Sequence, residues 1–182
     1  MCGMALKGDD PMVRKAMAVL VLAVAIVAVG FGGFVGISSA EDKVSALSKA
    51  LRRAKLFSGL NEAERVALES AATLRHGKEG ERIIEQGKSS GRMFIILQSQ
   101  AEVRINGRLV ATLSVQALVG EIEFLDRLPA TADVVLLEDT DLIELNNAAL
   151  TGLMERQPRL GYVLMSEIAG IEARRLRKTS RK

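Results

Sequence analysis

The sequence predicts a mainly β fold with flanking helices, an antiparallel β-roll preceded by one N-terminal hydrophobic helix, and three observations carry that reading. From Thr73 to Leu145 short apolar runs are separated by glycine-containing turns, the pattern of a roll of short strands. Inside that region Ile105-Asn106-Gly107-Arg108-Leu109 holds an Asn-Gly pair, which tolerates the positive φ angles of a two-residue hairpin turn. On either side the pattern changes to helical spacing, and Met17 to Ile37 contains no charged or strongly polar side chain.

Taken in order, residues 1–16 form a short leader and residues 17–37 the apolar span. At about 1.5 Å per residue such a helix crosses about 30 Å of hydrocarbon, so the expectation is a single-pass membrane anchor. A signal peptide is the alternative. Its apolar core usually runs about 7–15 residues, whereas this one continues through Phe31, Phe34, Val35 and Ile37. Yet Arg14 and Lys15 precede the run, Ser38-Ser39-Ala40 before Glu41-Asp42 resembles a small-residue cleavage site, and a start at Met12 would leave a short basic leader. Lys7, Arg14 and Lys15 stand before the span against Lys43, Lys49, Arg52, Arg53 and Lys55 after it, which points to a cytoplasmic soluble domain. The pair directly flanking the span points the other way, so a periplasmic or exported placement stays open.

Residues 38–55 are read as a linker and first helix, the helix running from Lys43 to Ala54, with a second from Asn61 to Ala72. Asn61 is its cap, followed by Glu62 and Glu64 in the first turn. Residues 56–146 make the roll, and 147–182 the closing helices with a basic tail. Asn147 to Glu155 forms a short helix and Arg159 to Arg177 a longer one behind Pro158, a residue suited to a first helical position. Leu160, Leu164, Ile168 and Ile171 share one face. That face packs either on its own roll or on a second copy, a homodimer through 159–177 that the small Gly161, Ala169 and Gly170 would permit.

The stretch from Val119 to Val134 reads Val-Gly-Glu-Ile-Glu-Phe-Leu-Asp-Arg-Leu-Pro-Ala-Thr-Ala-Asp-Val. It resembles the phosphate-binding cassette of the cyclic-nucleotide-binding domain family, in which Gly-Glu opens a short helix and a Pro-Arg-Ser/Thr-Ala run follows. The likeness extends over Leu56-Phe57-Ser58-Gly59-Leu60, Gly80 to Gly87, Met93 to Leu97 and Ala101-Glu102-Val103, about 90 residues in family order. It implies a roll that binds cAMP or cGMP, with Gly120, Glu121 and Ile122 at the helix start, Glu121 accepting from a ribose hydroxyl, and Thr131 at the small-hydroxyl position. A helix start offers free N–H groups and a positive dipole end to a phosphate.

Where the family places a phosphate-pairing arginine this chain has Ala130, so the cassette is expected to be degenerate. Arg127 is the nearby candidate substitute, its bland alternative being a solvated loop arginine. Thr131 has its own, a β-branched residue entering a strand from Ala132 to Leu137. Lys88, Ser99 and Gln116-Ala117 stand where an acid, a glycine and Gly-Asp are usual, and lost glycines imply altered turns.

Charge and composition narrow the class further. Residues 41–171 hold 16 basic against 19 acidic side chains, while 172–182 hold six basic against Glu172 alone, so the basic balance belongs to the tail. Arg174, Arg175, Arg177, Lys178, Arg181 and Lys182 read as a solvated helix end more than as a contact for anionic lipid or nucleic acid, and nucleic acid is not an expected partner. His76 is the one histidine, which rules out the multi-histidine site of a cupin; it reads as a surface residue. Glu121 and Glu123 lie two apart and point in different directions on a helix, so no carboxylate pair forms and no enzyme, cofactor or metal is expected. Cys2 is the single cysteine, which excludes an intrachain disulfide. The expected role is that of a membrane-anchored interaction or regulatory subunit passing its signal to a protein partner or membrane complex, the alternative being a working cAMP or cGMP sensor.

Overall fold

The structure is a computed structural model that describes residues 38–180. The leader at 1–16 and the anchor at 17–37 lie outside the described residues, as do Arg181 and Lys182 of the basic tail. Among the described residues no helix is long and apolar enough to cross a membrane.

Helix α1 (Ser38–Arg53) begins five residues before the expected Lys43. A 3-10 turn, Lys55–Phe57, leads to α2 (Glu62–Leu68). Asn61 caps α2 as expected, in a full capping box: Glu64 N–H donates to Asn61 Oδ1 at 2.9 Å, and Asn61 N–H donates to Glu64 Oε2 at 2.9 Å. The expected helix to Ala72 stops instead at Leu68, and a 3-10 turn, Glu69–Ala71, tightens the chain into the first strand.

Eight strands follow: β1 (Ala72–Gly77), β2 (Arg82–Ile84), β3 (Arg92–Ile96), β4 (Ala101–Ile105), β5 (Arg108–Leu113), β6 (Ala117–Val119), β7 (Asp133–Leu136) and β8 (Thr140–Asn146). They make two four-stranded sheets, ordered β1-β8-β3-β6 and β2-β7-β4-β5, with every pairing antiparallel. Ile105 pairs with Arg108 across a two-residue turn in which Asn106 has φ 50° and Gly107 φ 76°, the hairpin that the Asn-Gly pair predicts. Helix α3 (Glu121–Asp126) sits between β6 and β7, and α4 (Asn147–Arg156) and α5 (Pro158–Thr179) close the domain.

Strand β3 explains how the core divides. Met93, Phe94, Ile95 and Ile96 are all buried, because both faces of this inner strand are covered and the run is therefore continuously apolar. Met93 and Ile95 join Leu51, Phe57, Leu68, Ile143, Leu145, Leu150, Leu160, Leu164 and Ile168 between the first sheet and the helices. Phe94 and Ile96 face the roll interior with Ile83, Ile84, Ala101, Val119, Ala130, Val134, Leu136 and Leu142. The shared face of α5 thus packs on its own domain, and Gly161 lets α5 come close to α4 there: a Cβ on it would stand 3.1 Å from Met154 Cβ.

The lost glycines change the turns less than expected. Gln116 keeps the left-handed conformation at φ 64°, so the turn survives with a strained residue in it. Ser99 is not among the positive-φ residues, so that position does not require glycine.

Candidate functional site

The cassette occupies the elbow between β6 and β7. Gly120 caps α3 at φ 83°, and a Cβ there would lie 2.6 Å from Arg92 O. Only glycine fits both the dihedral and the close approach to β3. The helix has 6 residues and opens directly after Gly120. It ends at Arg127, left-handed at φ 61°, whose N–H donates to Glu123 O at 2.9 Å.

The two acids of α3 do point apart, and both are buried. Glu123 braces a loop: Gly91 N–H donates to Oε1 at 2.7 Å, while Ser90 N–H and its hydroxyl donate to Oε2 at 3.0 and 3.3 Å. Glu121, 4% exposed, accepts at Oε1 from Nη1 of Arg175 on α5. The same nitrogen donates to Glu172 Oε1 at 2.8 Å, and Nη2 donates to Leu118 O at 2.5 Å. Glu121 Oε2 is buried and has no hydrogen-bond partner among the described residues. Burial pushes the Glu121 carboxyl up to about 7; Arg175 opposes the rise and the nearby Glu172 adds to it.

Ala130 lies inside the roll at 9% exposure, packed in the apolar interior cluster. Its backbone is fixed on both sides, with Ala130 N–H donating to Lys88 O at 3.0 Å and Gly87 N–H donating to Ala130 O at 2.8 Å. Thr131 is exposed and precedes β7, which begins at Asp133 rather than at Ala132. Arg127 is exposed on the far end of α3, and Ile122 is half-buried. The cassette residues named from the sequence are therefore neighbours along one elbow, with Glu121 and Ala130 turned inward and Arg127 and Thr131 outward.

Other cations near the roll interior are already matched. The interior face of β1, β8 and β3 that carries Leu142 and Phe94 also carries Arg75, Glu144 and Arg92 by register. Glu144 takes Arg75 at 3.3 Å and Arg92 at 3.2 Å, Arg75 also meets Glu81 at 2.6 Å, and its guanidinium sits 5.5 Å from the Phe94 ring centroid. On the opposite face of the second sheet a polar concavity is lined by Arg82, Glu85, Glu102, Arg104 and Asp133, where Arg104 pairs with Glu102 and Arg82 with Asp133. His76, exposed as expected, stands 3.1 Å from Asp141.

Sequence reasoning missed Arg175 as a site residue. It stands among the cations of the basic tail, and its partner lies 54 positions away; the one local hint is Glu172 three residues before it, an acid able to hold a guanidinium on that side of the helix.

Residues 74–157 match the family model for the cyclic nucleotide-binding domain. The chain is 32% identical over 110 residues to the Pycsar effector protein XpPycTIR of Xanthomonas perforans, covering 60% of this chain and 35% of that one. It is 30% identical over 135 residues to the cAMP-dependent protein kinase regulatory subunit of Mycosarcoma maydis, covering 72% of this chain and 25% of that one. The chain thus spans about a third and a quarter of these relatives. Among solved structures, the catabolite activator protein of Thermus thermophilus superposes with a TM-score of 0.57 at 28% identity, over 69% of this chain and 59% of that one.

Proposed function

We propose that this chain, whose β-roll belongs to the cyclic nucleotide-binding domain family, works as a non-catalytic regulatory or interaction subunit with nucleotide binding weakened or lost. One observation carries the reading. Ala130, at the position where the family pairs an arginine with the cyclic phosphate, is packed into an apolar cluster with its backbone locked to Gly87 and Lys88. A charge-assisted hydrogen bond is worth on the order of 1.5–3 kcal/mol, so its loss weakens affinity by about tenfold to more than a hundredfold. The pairing of Arg75 and Arg92 with Glu144 supports the same conclusion, since neither guanidinium is free to replace the missing one. The regulatory role draws on the kinase regulatory subunit among the relatives. Residues 17–37 would hold the domain at a membrane. The side of α5 left exposed, with Tyr162, Met165 and Leu176, would receive a protein partner or a second copy.

Calorimetric titration of the whole chain with cAMP and with cGMP tests the proposal. No saturable heat is expected at micromolar ligand; a micromolar dissociation constant for either would overturn it. Ala130→Arg is expected to gain nucleotide affinity. A second reading, a sensor that relies on Glu121, Thr131 and backbone N–H groups, is favoured by the unpartnered Oε2 of Glu121, which would accept a ribose hydroxyl. On that reading Glu121→Ala abolishes binding that the unaltered chain shows.

A further inference from the structure

Ile168 is the last buried residue of α5, and residues 173, 174 and 176–180 beyond it are exposed. Arg174, Arg177 and Lys178 stand at i, i+3 and i+4, so they line one stripe of this stretch. Arg181 continues the spacing in the sequence. Arg175 is directed elsewhere, to Glu121 and Leu118 O, and it also occupies the neighbouring acid Glu172. Among the described residues none of the three stripe cations forms an ion pair.

The negative end of the helix dipole accounts for cations in the last turn, here Arg177 and Lys178. It does not account for Arg174, a turn earlier on the same stripe. Nor does an acid on that side: the next charge back along it is Glu167, about 10 Å from Arg174 along the axis. The stripe is therefore a patch of one sign whose complement is a dense anionic surface. Single-stranded nucleic acid is held by cations together with aromatic stacking, and residues 172–182 contain no aromatic side chain. A second copy docked in parallel would set like charges side by side. Lipid headgroups ask only for closely spaced cations.

We propose that the end of α5 is a contact for anionic lipid headgroups, with Arg174, Arg177 and Lys178 as its cations. This rests on the reading that residues 17–37 hold the domain at a membrane, and it goes further by naming the face that the domain turns toward the bilayer. A tethered domain meets the headgroups at high effective concentration. Each cation at an anionic surface is worth about fivefold in affinity, and the three together about a hundredfold. The contact is electrostatic, so it weakens with salt and requires charge rather than a planar fork.

The test places the whole chain in nanodiscs of phosphatidylcholine alone or mixed with phosphatidylserine. Amide hydrogen exchange is read over 173–180, with 158–168 as the fold control. Protection at 173–180 is expected to rise by about tenfold or more in the mixed discs alone, and to fall back at high salt. The variant carrying Arg174→Gln, Arg177→Gln and Lys178→Gln should lose the rise, and one carrying Arg174→Lys and Arg177→Lys should keep it. Equal protection in both discs, or a rise that survives the triple substitution, overturns the contact. So does protection that appears with a DNA duplex, or on concentrating the protein, and not in the mixed discs. If the chain enters neither disc, the anchor reading fails and the contact is judged separately, by sedimentation with vesicles of the same two compositions. There the triple variant is expected to bind the mixed vesicles about tenfold more weakly or worse, and equal binding overturns the contact.

Discussion

Gln116 and Gly120 sit four residues apart, both with positive φ, and they respond to substitution in opposite directions. A left-handed conformation costs a non-glycine residue about 1–2 kcal/mol, and Gln116 bears that cost in return for a long hydrogen bond, Lys55 N–H to its Oε1 at 3.4 Å. Gln116→Gly is therefore expected to raise stability by up to about 1 kcal/mol, seen as a higher urea midpoint with an unchanged slope. A lower midpoint would show that the side chain matters more than the strain. At Gly120 the left-handed φ is joined by the approach to Arg92 O, so Gly120→Ala meets both penalties. A loss of at least about 2 kcal/mol is expected in the same denaturation experiment.

Among the elements, α3 is too short to be stable by itself, and its position is set by what its acids hold. Glu123 accepts from the Ser90 and Gly91 N–H groups and the Ser90 hydroxyl, so removing it leaves two backbone donors of the β2–β3 loop without their acceptor. Glu123→Ala is expected to cost about 2–3 kcal/mol and to raise hydrogen exchange at residues 90 and 91 first; protection unchanged there would mean that water replaces the carboxylate at no cost. This brace was not legible in the sequence, and neither was the contact of Arg175 with Glu121 or the bond of Arg159 to Glu64, 95 positions away. All three depend on which surfaces the fold brings together. What was legible is local: the Asn-Gly hairpin, the Asn61 cap, the run Met93 to Ile96 of a strand covered on both faces, and the order of segments that resembles the family. Gln116 lies between these cases, since its departure from glycine was visible while the survival of the left-handed turn was not.

Over the whole domain the buried acids Glu64 and Glu121, with the partly exposed Glu81, set opposing pH dependences. Glu64 is held below the ordinary carboxylate range by the hydrogen bond from Arg159, which outweighs burial. In Glu81 burial works upward, but the bonds from Arg75 and Lys78 N–H prevail and the carboxyl is lowered. A lowered carboxylate contributes stability above its unfolded value of 4.5 and loses it as pH falls through the folded value. Glu121 behaves in the reverse sense: its folded value is raised to about 7, so its contribution is complete below 4.5 and is lost as pH rises toward and through 7. The domain should therefore be most stable near pH 5, between the acid loss from Glu64 and Glu81 and the neutral loss from Glu121. Between pH 5 and pH 8 the decline is expected to be about 2–3 kcal/mol. Glu121→Gln, which keeps an acceptor for Arg175 without a buried charge, should remove most of that decline while leaving the acid limb unchanged. Urea midpoints at pH 5 and pH 8 for both proteins decide the matter. If the unaltered chain is no weaker at pH 8, then Arg175 neutralises Glu121 fully, and the triad with Glu172 is a stable ion pair rather than a strained one.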